Sequence, residues 1–249
     1  MNTETKNEKP LQGKVSLVTG GSKGWGLGIA IALRDAGADV WITGRDEGAL
    51  ASAHELHGIK GIPADVSKGK DWDRVVETVE KESGPVEILI NNAGAGGSIV
   101  SVGEQTDASI QDTIDINLVG PMLGCRRIVP GMISKGDGVI VNISSACSFE
   151  SWPGWSIYSA AKAGLEQFAR GLYVELRPHG VRISTVIPAW GATGFTTACD
   201  LPDKDAEIAR QCIQPSEMGQ TVLNICTQPR HLAILELTLL PTVQEICPL

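Results

Sequence analysis

The chain has 249 residues, 42% of them apolar and 20% charged, with a formal net charge of −8. That is enough apolar material for a sizeable core, which excludes wholesale disorder, and 21 basic against 29 acidic residues leave no general basic face for nucleic-acid phosphates. No apolar run reaches the ~18 residues of a membrane span. The polar segment from Met1 to Pro10 has neither the apolar core of a secretory signal nor an Arg-rich transit pattern, so a cytoplasmic protein with a flexible tail at 1–10 and no membrane partner is expected.

Strands and helices alternate along the chain. Val15 to Val18 reads as a first strand, followed by glycines and the helix-like Ile29 to Leu33. Val40 to Thr43 is a second strand, and Gly61 to Ala64 a third, whose proline marks a strand start or an edge. Trp72, Val75, Val76 and Val79 recur at i, i+3, i+4 and i+7, the signature of an amphipathic helix. Glu87 to Ile90, Val139 to Ile143 and Val181 to Ile187 read as further strands, and Leu232 to Leu239 as the last. The alternation predicts an α/β fold, a single doubly wound domain over about 11–241 with a parallel β-sheet covered by helices on both faces. Such sheets bind ligands beyond the carboxyl ends of their strands. The six cysteines, Cys125, Cys147, Cys199, Cys212, Cys226 and Cys247, show no CxxC pair and no metal-ligand spacing with the histidines. Free thiols and no metal are expected.

After the first strand comes Thr19-Gly20-Gly21-Ser22-Lys23-Gly24-Trp25-Gly26. Glycines between a strand and a helix let the backbone approach a pyrophosphate, which the N–H groups of the helix N-terminus then receive. Which dinucleotide binds depends on the end of the second strand. An acid there would accept from a ribose 2′-OH; here the turn reads Thr43-Gly44-Arg45, and Arg45 with Lys23 offers cations to a 2′-phosphate. NADP(H) is therefore expected. Further on, Tyr158 and Lys162 stand at i, i+4 on one face of a helix, where an ammonium would lower the phenol pKa toward the operating range.

With Thr19, Gly20, Gly24 and Gly26 in a TGxxxGxG pattern, Asn91-Asn92-Ala93-Gly94 as NNAG, and Tyr158 and Lys162 as YxxxK, the chain resembles the short-chain dehydrogenase/reductase family in its classical branch. The resemblance implies a Rossmann-fold catalytic domain over 11–249, with a variable substrate lid at 193–215. It also implies a catalytic tetrad. Ser145, thirteen positions before Tyr158, would hold the substrate carbonyl. Tyr158 would be the acid/base, Lys162 would lower its pKa and hold the nicotinamide ribose, and Asn117 would place a water in a proton relay. Cofactor contacts are implied at Gly20, Ser22, Lys23, Trp25, Gly26, Arg45, Asp65, Val66, Asn92, Ala93, Gly94, Tyr158, Lys162, Gly191 and Thr193. The activity implied is reversible NADPH-dependent reduction of a ketone or aldehyde, by a homodimer or homotetramer. Hydroxysteroid dehydrogenase, 3-oxoacyl thioester reductase and a non-catalytic NADP-binding regulator are the alternatives.

Two departures bear on substrate fit. Pro188-Ala189 stands where the family has PG, and Trp25 replaces an aliphatic residue. The mixed charge at Asp200, Asp203, Lys204 and Asp205 lacks the basic cluster that a thioester carrier would favour. Among six tryptophans, two tyrosines and three phenylalanines, Phe149, Trp152, Trp155, Tyr158, Phe168, Tyr173, Trp190 and Phe195 all fall between 149 and 195. Trp152, Trp155 and Trp190 are expected, with Ser145, to border an apolar or bulky substrate. Phe168 and Tyr173 read as core or interface, and Phe149 and Phe195 have no assignment.

Overall fold

The computed structural model describes residues 9–199, 201–202 and 205–245. Most of the expected tail, Asp200, Asp203, Lys204 and Cys247 lie outside the described residues. In chain order the elements are β1 (Val15–Thr19), α1 (Gly24–Asp35), β2 (Asp39–Gly44), α2 (Glu47–His57), β3 (Lys60–Pro63), α3 (Gly69–Ser83), β4 (Ile88–Asn91), α4 (Asp107–Ile114), α5 (Gly120–Lys135), β5 (Gly138–Ile143), α6 (Ser156–Leu176), β6 (Val181–Pro188), α7 (Ala206–Gln211), α8 (Pro215–Cys226) and β7 (Glu236–Leu239). A 3-10 turn, Ala146–Ser148, follows β5.

The strands form one sheet in the order β3-β2-β1-β4-β5-β6-β7, every pair parallel. Adjacent residues of the central strands serve opposite faces, as the pleat requires. Val18, Ile42, Ile90 and Val141 join one core with Ile29 and Leu33 of α1 and Met218 and Val222 of α8. Leu17, Trp41, Leu89 and Ile140 join the other, with Trp72, Val75 and Val79 of α3 and Leu172 of α6. Burial on both faces is why these strands read as short continuous apolar runs.

Chain order reverses between β1 and β4, which open a crevice at their carboxyl ends. The helices beside it are drawn close by glycines: a Cβ on Gly28 would overlap the Pro215 backbone, and one on Gly219 the Gly28 carbonyl. This places the N-terminus of α8 against α1. Phe168 and Tyr173 pack on the α3 side of the sheet. Pro63 closes β3 at the sheet edge, where its missing N–H leaves no gap in the ladder. The last strand is shorter than the apolar run suggests, because Leu232 donates to the Pro229 carbonyl in a turn and regular pairing begins only at Glu236.

At the opposite end of the sheet a buried carboxylate ties three elements together. Glu87 receives Lys14 Nζ at 2.7 Å, Lys135 Nζ at 2.6 Å and the Val15 N–H at 3.3 Å. Burial pushes this carboxyl up, but the two ammonium groups outweigh it and hold it below its ordinary value. A depressed folded-state pKa means that the stabilisation is present above the unfolded value and is lost as pH falls through the folded one. Glu87→Gln should therefore cost roughly 1 kcal/mol at neutral pH, a figure kept low because both lysines are partly solvated. In urea titrations the gap between variant and parent should shrink on acidification below pH 4; a gap independent of pH would contradict the ion-pair origin.

Candidate active site

The crevice is built around Thr19, the last residue of β1. Its Oγ1 donates to the Ile90 carbonyl and accepts from the N–H groups of Asn92 and Ala93, both at 3.0 Å. Asn92 returns the link, its Nδ2 donating to the carbonyls of Thr19 at 2.9 Å and Gly20 at 3.1 Å. These bonds lash the glycine turn to the loop after β4. Gly20 turns at φ +62°, and a side chain on Gly26 would overlap the Gly20 carbonyl, so neither position admits one. No side chain caps the start of α1 at Lys23, and no acidic residue occupies its first turn, which leaves its N–H groups and partial positive charge for a ligand.

The resulting cleft, of about 400 Å³, is lined by Gly20, Ser22, Lys23, Trp25, Gly26, Arg45, Asp65, Val66, Asn92, Ala93, Gly94, Tyr158, Lys162 and Thr193, among others. Gly191 of the expected cofactor set lies instead in the adjoining cavity. Asp46 also borders the cleft, but its carboxylate caps α2 by accepting from the Ala49 N–H at 3.0 Å. Asp65 accepts from both the N–H and the hydroxyl of Ser67, at 2.9 and 2.8 Å. The donor set suits a dinucleotide, with glycine backbone and a free helix N-terminus at one point and the cations Lys23 and Arg45 at the outer end.

At the inner end α6 presents Tyr158 and Lys162, both buried. Tyr158 and Ser145 line the same cavity, and the Ser145 Oγ accepts from the Cys147 N–H. Ser144 turns the other way, donating to buried Glu166 at 2.7 Å. Lys162 Nζ donates to the Ile143 carbonyl at 2.9 Å and lies 5.6 Å from the Tyr158 ring centroid. Burial pushes the phenol well above its ordinary value, and Lys162, bonded to Ile143 beside the ring, does not bring it down. The same burial lowers the amine to about 8. Tyr158 is thus a neutral phenol near pH 7, equipped to give a proton.

Asn117 sits in a turn of π-helix at Asp115–Val119. Its amide donates to the carbonyls of Thr113 at 2.8 Å and Ala95 at 2.7 Å, and its Oδ1 accepts from the Ala95 N–H at 3.3 Å. A Cβ on Gly94 would lie 3.0 Å from Asn117 Oδ1 and 3.5 Å from Lys162 Nζ. The glycine therefore keeps open the space between them.

Beside the cleft is a cavity of about 340 Å³ that includes Trp25, Ser145, Trp152, Trp155, Tyr158 and Trp190 in its wall. Phe195 belongs to it as well, stacked on Trp155 at 6.4 Å and tilted against Tyr158 at 5.8 Å. Trp25, Ser144, Tyr158, Thr193 and Phe195 border both spaces. Phe149 remains largely exposed. Cys147, Gln244 and Glu245 also line the cavity, and the sequence reading missed them. The last two arrive because Gln244 Oε1 accepts from the Trp190 N–H at 2.7 Å, a contact across 54 residues with no local pattern. Ala189 continues the β6–β7 pairing by donating to Leu239, so the chain leaves the sheet one residue later than β6 itself ends.

Trp25 has a specific counterpart. Its Nε1 donates to the Ile213 carbonyl at 3.0 Å, and Gly191 and Ile213 pair in an isolated bridge that closes the neck of the segment between them. A Cβ on Gly191 would overlap the Trp25 benzo ring. Large at 25 therefore requires small at 191. Gly191→Val should lower stability and activity, and adding Trp25→Ile should recover much of both. A thermal-unfolding double-mutant cycle checks this, with simple additivity the contrary result.

Over residues 14–204 the chain matches the short chain dehydrogenase family. An uncharacterized oxidoreductase of Staphylococcus aureus is 31% identical over 234 residues, 93% of this chain and 98% of that protein. A glycine betaine reductase of Emericella nidulans is 32% identical over 246 residues, 95% of this chain and 19% of that protein. Among solved structures, a serine dehydrogenase in its closed form with NADP+ superposes with a TM-score of 0.87 at 27% identity, covering 94% of this chain and 98% of that one.

Proposed function

The chain belongs to the short-chain dehydrogenase family and is an oxidoreductase, and from that premise we propose that it is an NADP(H)-dependent carbonyl reductase acting reversibly on a ketone or aldehyde. The observation that carries the reading is the position of Tyr158, a buried neutral phenol beside Ser145 where the glycine-lined cleft meets the aromatic cavity. On this reading residues 11–249 are the catalytic domain and 193–215 the lid.

NADP(H) is supported by the Arg45 and Lys23 side chains at the cleft's outer end, by the engagement of Asp46 in capping α2, and by the NADP+-bound neighbour. Gly20, Ser22 and Gly26 would hold the pyrophosphate, Asp65 and Val66 the adenine, Asn92, Ala93, Gly94 and Thr193 the inner half, and Lys162 the nicotinamide ribose. When bound, the cofactor supplies the hydride that reduces the carbonyl carbon. Ser145 would hold the carbonyl oxygen and Tyr158 would protonate it as charge develops there. Lys162, fixed on the Ile143 carbonyl, would support the phenolate left behind and pass a proton inward from solvent past Asn117. In the oxidative direction Tyr158 would take the alcohol proton.

Trp152, Trp155 and Trp190 would bound the substrate. The cavity wall includes no Lys, Arg or His among the described residues, which disfavours both phosphate-bearing thioesters and small hydroxy acids, whose charges want a cation. A cytoplasmic setting and a homodimer or homotetramer belong to the same proposal. Tyr158→Phe should lower kcat by roughly 10²–10⁴ with cofactor binding retained in fluorescence titration; near-normal turnover would refute the role. Arg45→Ala should weaken NADPH relative to NADH by ~10-fold, read from the two KM values.

A further inference from the structure

The cavity beside Tyr158 combines two properties that a neutral ketone does not require together. Its wall includes the rings of Trp25, Trp152, Trp155, Trp190 and Phe195 beside Tyr158, and its single charged member among the described residues is Glu245, which is exposed. Indole and phenyl faces carry negative quadrupole charge, and they attract a cation most strongly where water is excluded. The one indole N–H of Trp25 is spent on the Ile213 carbonyl, so that ring contributes apolar π surface and no donor. An anionic ligand would meet a carboxylate here and no compensating cation. A primary ammonium would have to replace three water hydrogen bonds, against a wall whose acceptors are a few hydroxyls, Gln244 and the exposed Glu245. A quaternary ammonium has no N–H to satisfy and is wide and weakly hydrated, so it matches a cavity rich in aromatic rings whose one charged residue is acidic. The net charge of −8 also favours encounter with cations over anions.

We propose that the carbonyl substrate carries a quaternary ammonium group, held by the tryptophan faces and Glu245 while its carbonyl reaches Ser145 and Tyr158. This rests on the carbonyl-reductase reading and narrows its substrate class. The reaction adds a hydride from NADPH to the carbonyl carbon and a proton to its oxygen, forming a quaternary ammonium alcohol and NADP+.

The test compares trimethylammonium acetaldehyde with its neutral isostere tert-butylacetaldehyde, two molecules of nearly the same shape that differ by the charge. With NADPH as donor, kcat/KM should favour the cation by ~10-fold or more. Glu245→Gln and Trp190→Leu should each narrow that preference, chiefly through KM. Independently of turnover, tetramethylammonium chloride should quench tryptophan fluorescence saturably, where sodium chloride at equal ionic strength does not. Equal or better use of the neutral aldehyde, or a preference untouched by both substitutions, would overturn the proposal and leave the reductase reading standing. Saturable quenching without turnover of either aldehyde would support the cation site and count against the reductase reading.

Discussion

The hydrogen bonds between Thr19 and Asn92 hold the site together, because they fasten the glycine turn after β1 to the loop after β4 where the order of strands reverses. Pairing of β1 with β4 brings both loops out at the same end of the sheet, but it ends at Val18 and Ile90 and leaves the path of the loops beyond to other contacts. Thr19 Oγ1 and Asn92 Nδ2 supply those contacts with five bonds. Once the two loops are joined, the backbone at Gly20 and Gly26 is too close for side chains. Gly94 is carried into place before Asn117 and Lys162 in the same way.

The tryptophans depend on that frame. Trp25 leaves the glycine turn and reaches the neck between Gly191 and Ile213, so the glycine-lined cleft and the aromatic cavity beside it share one indole. Phe195 plays the corresponding part from the other side, contacting both Trp155 and Tyr158. The wall between the two spaces thus combines the rings of Trp25, Tyr158 and Phe195 with the hydroxyl side chains of Ser144 and Thr193. Burial of the phenol is what favours its protonated form.

Burial rather than charge pairing sets the ionisation of the inner site. Tyr158 and Lys162 are pushed in opposite directions by the same loss of solvent, each toward its neutral form. Lys162 is held by the Ile143 carbonyl, and Glu166, the nearest buried acid, is engaged by Ser144. A donor poised as a neutral phenol suits carbonyl reduction, whereas a pre-formed phenolate would have favoured alcohol oxidation.

Much of this was legible in the chain itself. Apolar runs separated by periodic helices specify a parallel sheet, since only burial on both faces makes such runs affordable in water. The glycine spacing and the Tyr158–Lys162 interval are local geometric facts, visible because a turn or a helix face fixes them within a few residues. Arg45 was readable for the same reason. What remained hidden depends on contacts between distant segments: Phe195 against Tyr158, Gln244 and Glu245 over the cavity, Trp25 against Gly191. The burial of Tyr158 and Lys162 was hidden too. Spacing along a helix says which side chains are neighbours, but solvent access and the choice of Ile143 as the partner of Lys162 are set only when the sheet, the loops and α6 close around them.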